Sequence, residues 1–257
     1  MNKHEQEIID QFSKQAIPFT QVPGHLDAMQ QLVELSGVSK TDGVLDVACG
    51  PGMVACEFAK LADRVEGIDL VEQMIEQARL RQVQEGLGNI AWKTGSVDAL
   101  PYADDAFSIV ITRYSFHHFL NPRAVLAEMV RVCRPGGTVL VADVSMPEDQ
   151  VEAFNQMERL RDPSHTAALS DSAWAELLGD SGLSDLQHSR YTVDMELEAQ
   201  LQASFPKAGD AEIIRELFRS DMGKNRMGVN ARRKDDSIYY TYPIAIYTGT
   251  KPPIPCT

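Results

Sequence analysis

Five short apolar runs alternate with amphipathic stretches between residues 43 and 145, and this alternation constrains the fold more than any other feature. Gly43-Val44-Leu45-Asp46-Val47-Ala48 reads as a buried strand that ends in a Gly-rich turn. Residues 52–62 have helical spacing, Val65 to Leu70 is a second strand, and residues 71–86 form a helix. Ile90 to Thr94, Phe107 to Thr112 and Thr138 to Ala142 are further strands, with a helix over Pro122 to Cys133. Near-continuous apolar strands separated by helices require both sheet faces to be covered, so the fold class is α/β with a parallel sheet.

The strongest local signal is Val44-Leu45-Asp46-Val47-Ala48-Cys49-Gly50-Pro51-Gly52-Met53-Val54-Ala55. A strand runs into Gly-x-Gly-x-x-Ala and then into a helix. Gly50 and Gly52 let the backbone turn tightly and approach a ligand with no Cβ in the way. The helix start beyond them offers free N–H groups. Asp69 ends the second strand 23 residues after Asp46, where an acid accepts both hydroxyls of a ribose. Two ligand classes suit this layout, nicotinamide dinucleotides and S-adenosyl-L-methionine. A sulfonium nucleoside has no phosphate, so its site needs acids: Asp46 for the ammonium, directly or through water, and Asp69 for the ribose.

Residues 36–146 resemble the class I methyltransferases, and within them the small-molecule group that includes the ubiquinone and menaquinone C-methyltransferases. Leu45 to Gly52 is similar to the family's first motif and Gly67-Ile68-Asp69-Leu70 to its second-strand acid. Gly95-Ser96-Val97-Asp98-Ala99-Leu100-Pro101-Tyr102 is similar to the stretch bordering adenine. Ala106 to Val110, Arg134-Pro135-Gly136-Gly137 and His117-His118-Phe119 complete the resemblance. Two positions depart from it: Ala48 stands where the motif usually has Gly, and Ser96 where the family usually has an adenine-contacting Asp, with Asp98 as the alternative acceptor. The backbone N–H of Val97 stays available whatever its side chain. The implied cofactor is S-adenosyl-L-methionine, held by Asp46, Ala48, Gly50, Gly52, Asp69, Leu70, Met74, Ser96, Val97, Asp98 and Arg113.

The resemblance also implies a Rossmann-like, seven-stranded, mostly parallel sheet whose last strand is antiparallel. Leu186–Val193 and Ser237–Thr248 would be its final two strands, although Pro243 argues for an edge position or a bulge in the second. The roughly 43 residues between them exceed a hairpin loop, so a helical cap insertion is expected at about 195–236. The expected organisation is an N-terminal helical lid over 1–42, the cofactor-binding domain with its cap over 43–250, and a flexible tail over 251–257.

Acceptor-side candidates sit at the C-terminal end of the fourth strand, where ligands of open α/β sheets bind. Arg113, His117 and His118 are the catalytic candidates, as a base or as positioning groups; Arg113 would contact a carboxylate. Tyr114, Phe19 in the lid, Arg161 and His165 in a Pro-fixed turn, and Arg232 in the cap are the substrate candidates. Segment 148–198 holds twelve acids against three arginines, and 207–234 holds eight bases against four acids. The two read as solvated faces that attract each other, or else the cap's bases meet an anionic acceptor.

A formal net charge of −13 argues against nucleic-acid partners. No apolar run reaches the roughly 18 residues of a membrane span. The first residues lack a signal peptide's apolar stretch. Four scattered cysteines read as reduced thiols of a cytoplasmic protein. The expected function is methyl transfer to a small molecule. The alternatives are an NAD(P)-dependent oxidoreductase, disfavoured by Pro51, Asp46 and the lack of a second dinucleotide-binding half, and a non-catalytic nucleoside-binding protein. Oligomeric state and the methylated atom are left open.

Overall fold

β1 (Gly43–Val47) is buried along its length because it runs up the middle of the sheet, between β2 (Arg64–Asp69) and β4 (Phe107–Arg113). The computed structural model describes residues 2–19 and 28–253. Around β1 the chain adds β3 (Ile90–Thr94), β5 (Cys133–Met146), β6 (Leu169–Ser170), β7 (Ser184–Glu196), β8 (Arg232–Lys234) and β9 (Ser237–Thr250). The helices are α1 (Lys3–Phe19), α2 (Met29–Ser36), α3 (Met53–Ala59), α4 (Glu72–Gln84), α5 (Pro122–Val132), α6 (Val151–Arg161), α7 (Asp171–Gly179), α8 (Leu197–Ser204) and α9 (Asp210–Asp221).

The strand path is β3-β2-β1-β4-β5-β9-β7, with β6 attached to β5 and β8 to β9. The first five strands are parallel and β9 is antiparallel to both neighbours. This is the seven-strand path of the Rossmann-like expectation, extended by two short strands. Pro243 pairs with Thr192 of β7 without a bulge and has no ladder partner on its other side, so it takes a locally edge-like position in a strand that is otherwise internal. Pairing of β9 with β5 stops at Ile244, so Pro243 sits just past the point where β9 leaves β5, and its missing N–H takes no bond from that ladder.

α5 and α7 cover one sheet face over Leu45, Val110, Val139 and Trp174. α2 and α3 cover the other over Val44, Phe58, Ile109 and Leu140. Each fully buried Leu, Val or Phe stabilises by about 1.5–3 kcal/mol. Asn121 caps α5 ahead of Pro122, and Ser170 caps α7 by accepting from the Ala173 N–H. Asp171 pairs with Arg190 at 2.7 Å.

A third core lies between β9 and the helices α6, α8 and α9. The acidic and basic segments do meet there: Glu198 of α8 holds Arg215 of α9 through two hydrogen bonds of 2.7 and 2.8 Å, and Asp194 of β7 pairs with Arg232 of β8 at 2.6 Å. α1 bridges α4 and α8. Its Phe12 and Ala16 pack by Met74, and its Gln11 and Gln15 amides donate to the Ser204 carbonyl. Lys251, read as part of a tail, is fixed by backbone bonds to Gly136 and Gly137 and by its ammonium on Asp105.

Candidate active site

One cavity of about 240 Å³ opens at the carboxyl ends of β1, β2, β4 and β5, and α1 and α8 contribute to its wall. Its first wall is the Gly-rich turn. After β1 the backbone enters the left-handed region at Ala48 (φ 56°) and again at Gly50 (φ 51°). A Cβ built on Gly50 would meet nothing within 4 Å, so the turn leaves open volume beside it.

Asp69 ends β2 at the same wall. Its Oδ2 accepts the Gly50 N–H at 2.8 Å and its Oδ1 accepts the Val71 N–H at 2.9 Å. Burial pushes its pKa up to about 6 despite those two bonds. Each carboxylate oxygen retains a lone pair beyond the backbone bond. Leu70, Met74 and Val97 supply apolar surface, Ala48 borders the turn, and Ser96 and Asp98 follow on the next loop. An acid with spare lone pairs, a bare Gly beside it and an apolar slot fit a ribose and a base.

Two expected cofactor residues lie off the cavity. Asp46 is 1% exposed, and its Oδ2 accepts the Ala55 N–H at 3.0 Å, which staples β1 to the first turn of α3. Burial raises its pKa to about 8. Gly52 is a packing glycine: a Cβ there would lie 2.7 Å from the Trp92 ring and 2.9 Å from Ala78 Cβ. The residues missing from the expectation on this wall include Cys49, Val54 and Val71, whose apolar character marks them only as core.

The opposite wall grows from the end of β4. Arg113 and Tyr114 both border the cavity. The guanidinium lies 4.2 Å from the Tyr114 ring centroid and donates to its hydroxyl at 2.9 Å; that hydroxyl meets Tyr191 at 2.7 Å. Tyr114 has φ 58°, a left-handed kink that turns the chain into the single 3-10 turn Phe116–His118. The turn is held by Asp143 of β5, whose Oδ2 accepts the Phe116 N–H at 2.7 Å.

Asp143 Oδ1 contacts His117 Nδ1 at 2.7 Å. Burial opposes protonation of His117, yet the Asp143 carboxylate outweighs it and lifts the pKa above the usual imidazole value. Nδ1–H is the donor, so Nε2 is the basic nitrogen of a ring that borders the cavity. His118 behaves in the opposite way. Burial and the charge of His117 lower its pKa to about 4, and its Nδ1–H donates to the Ser164 carbonyl at 3.1 Å. From α1, His4 Nε2–H donates to the His118 carbonyl at 2.7 Å, and the Phe12 ring meets the His118 ring edge-on at 5.0 Å.

Sequence reasoning missed Asp143. The signal was present as an acid interrupting the apolar run Val139-Leu140-Val141-Ala142-Asp143-Val144, where an uncompensated charge in a buried strand needs a partner.

His165 and Arg161 also border the cavity. Arg161 is compensated by its neighbours: Glu158 takes it with both oxygens, Oε1 at 3.1 Å from Nε and Oε2 at 2.5 Å from Nη2, and Ser204 Oγ accepts from Nη1 at 3.0 Å. Tyr242 donates to the same Glu158 at 2.8 Å. Arg232 is corrected: it borders no part of the cavity and its charge is taken by Asp194 and Thr241. The side chain of Phe19 lies outside the described residues. Among the described residues no group of three His, Cys, Asp or Glu is arranged to hold a metal, and no helix is long and apolar enough to cross a membrane.

Residues 45–141 match the methyltransferase domain family. The uncharacterized methyltransferase YcgJ of Bacillus subtilis is 28% identical over 212 residues, covering 81% of this chain and 84% of that one. Its crystal structure superposes with a TM-score of 0.82, covering 89% of this chain and 99% of YcgJ. The ubiquinone/menaquinone biosynthesis C-methyltransferase UbiE of Teredinibacter turnerae is 32% identical over 123 residues, which is 46% of this chain and 49% of that one. The fold is also that of a Haemonchus contortus phosphoethanolamine N-methyltransferase in complex with S-adenosylhomocysteine, at a TM-score of 0.62 and 17% identity over 90% of this chain and 54% of that one. Residues 45–141 thus carry a methyltransferase domain built into this sheet, and it is the S-adenosylmethionine-dependent methyltransferases that the chain resembles.

Proposed function

We propose that the protein methylates a small, largely apolar acceptor bearing a dissociable proton, with His117 as the base and Asp143 as its positioning partner. The observation that carries this reading is the 2.7 Å His117–Asp143 contact on the cavity that Gly50 and Asp69 also border. The cavity's apolar lining includes Ile8, Phe12, Phe154, Val193, Met195 and Ile244. α1 and the cap helix α8 act as the lid over this cavity. That enclosure and the net charge of −13 favour a small acceptor over a nucleic acid. The printed name of UbiE supports a quinone-like, phenolic acceptor. Three buried free cysteines among the described residues support a reducing, cytoplasmic setting.

S-adenosylmethionine supplies, when bound, an electrophilic methyl group on a sulfonium sulfur. Asp69 and Gly50 would hold its ribose, Leu70, Met74 and Val97 its base, and Ser96 or Asp98 the exocyclic amine. Arg113 and Tyr114 would line the passage between the two halves of the cavity. His117 Nε2 would take the acceptor's proton as the acceptor's electron pair bonds to the methyl carbon and the methyl–sulfur bond breaks, its electron pair leaving with sulfur as neutral S-adenosylhomocysteine; Asp143 would stabilise the imidazolium that results. Water exclusion by α1 and fixed orientation contribute the rest of the acceleration.

The test separates binding from chemistry. Asp69→Ala should weaken S-adenosylhomocysteine at least tenfold by calorimetry. His117→Ala should keep that affinity within threefold while lowering turnover on a phenol and quinol panel by about 10²–10⁴. Full turnover in His117→Ala would overturn the base assignment; no cofactor binding by the wild type would overturn the whole reading.

A further inference from the structure

His165 is the buried titratable group that the proposed mechanism leaves unused. It is 4% exposed and borders the cavity, and its ring centroid lies 5.5 Å from that of His117. Its tautomer is fixed by the backbone two links away. The Ala168 N–H donates to Asn155 Oδ1 at 2.7 Å while Asn155 Nδ2 donates to the Ala168 carbonyl at 3.2 Å. That pair of bonds sets which end of the Asn155 amide is oxygen. His165 Nε2 meets the same Oδ1 at 2.7 Å, so Nε2 carries the proton and Nδ1 is a bare acceptor. Nδ1 is buried and has no hydrogen-bond partner. Burial and the neighbouring charges of His117 and His118 hold its pKa far below the imidazole range, so the ring stays neutral.

A buried acceptor with a fixed lone pair is costly to leave when nothing donates to it. The open volume bordering this ring is the cavity itself. Gln200 Oε1 also borders the cavity, buried without a partner. His117 and His165 thus set neighbouring, tilted rings on the cavity, with His165 Nδ1 lacking a donor, in a lining that also holds Glu158, Arg161 and Asp162.

We infer that His165 is a specificity-determining residue: it accepts from a second donor of the substrate while His117 takes the proton from the first. This deepens the functional reading above and rests on it. The substrate class is a compact apolar molecule with two nearby O–H or N–H groups, such as a dihydroxyarene. A monoether of the same skeleton leaves Nδ1 unpaired and is rejected.

Calorimetry on the S-adenosylhomocysteine-loaded protein tests this with 2,3-dihydroxynaphthalene and 3-methoxy-2-naphthol. The wild type should bind the diol at least tenfold tighter. His165→Phe should shrink that ratio below threefold while holding the monoether's affinity within threefold, and His165→Gln, which restores an acceptor oxygen, should recover part of it. No binding of the diol, equal binding of both probes by the wild type, or an undiminished ratio in His165→Phe would overturn the inference. The wild type offers a check that needs no variant: nitrogen-15 NMR should find His165 as the neutral Nε2–H tautomer from pH 5 to 8, and a protonated Nδ1 would overturn it. Cofactor binding is measured first in the same experiment, so its failure sinks the functional reading and not this assignment alone.

Discussion

Ala48 occupies a backbone conformation that glycine adopts without cost, and that position is where the family motif usually has glycine. At φ 56° its Cβ crowds the following carbonyl, a penalty of about 1–2 kcal/mol for an L residue. Glycine would remove that penalty while adding back unfolded-chain entropy of about 0.4–1 kcal/mol. Ala48→Gly should therefore stabilise the protein by roughly 0.5–1 kcal/mol, read as a higher urea midpoint at unchanged slope; a lower midpoint would mean that the Cβ packs usefully against the cavity wall. The two acids of the motif make a related point at the same scale. Asp46 and Asp69 both sit on strands that end at the ligand turn, yet Asp69 faces the cavity and Asp46 accepts from Ala55. Spacing reveals that a strand-end acid exists. Which backbone N–H it reaches depends on where α3 starts, and that is settled by packing.

At the scale of elements, the strands were legible because buried parallel strands carry their signature locally, as in Phe107-Ser108-Ile109-Val110-Ile111. Pairing partners are not local. Nothing in residues 237–250 announces that they insert between β5 and β7; Pro243 signalled only the local one-sided pairing where β9 leaves β5, not the strand's place in the sheet. The junction of β2, β3 and α4 shows the same dependence on partners. A Cβ on Gly67 would lie 2.5 Å from the Trp92 ring and 3.0 Å from Cys49 Sγ. Trp92 cannot swing away freely, because its Nε1–H donates to Gln82 Oε1 of α4 at 2.7 Å. Gly67→Ala should cost about 1–3 kcal/mol by overpacking. In the Trp92→Leu background the same change should cost less than 1 kcal/mol, so the two substitutions should be strongly non-additive in denaturant unfolding. Additive costs would place the strain in the strand backbone instead of against the ring.

For the whole molecule, the two strand-end acids Asp46 and Asp69 also set how stability responds to pH. Burial lets Asp46 hold its proton up to about pH 8 when folded, against an ordinary carboxyl value of 3.8, and Asp69 holds its own up to about 6. A folded state that binds more protons than the unfolded chain loses stability as pH rises through that interval, at up to about 1.4 kcal/mol per pH unit per group. His117 acts in the same direction: its raised pKa stabilises below the unfolded value and fades as pH climbs through the folded one. His118 acts oppositely, but mainly below its unfolded value, since its folded pKa is near 4. Between pH 6 and 8 Asp46 therefore dominates, with a loss of about 2 kcal/mol, or roughly 4–8 °C in Tm for a chain of this size. Asp46→Asn keeps an oxygen for the Ala55 N–H and carries no charge at either pH. Its Tm should fall by less than half as much over that window, and at pH 8 it should exceed the wild type. Equal slopes in the two proteins, measured by calorimetric unfolding without ligand, would mean that Asp46 is already ionised at pH 6 and stabilised as a carboxylate by the nearby Arg113 guanidinium.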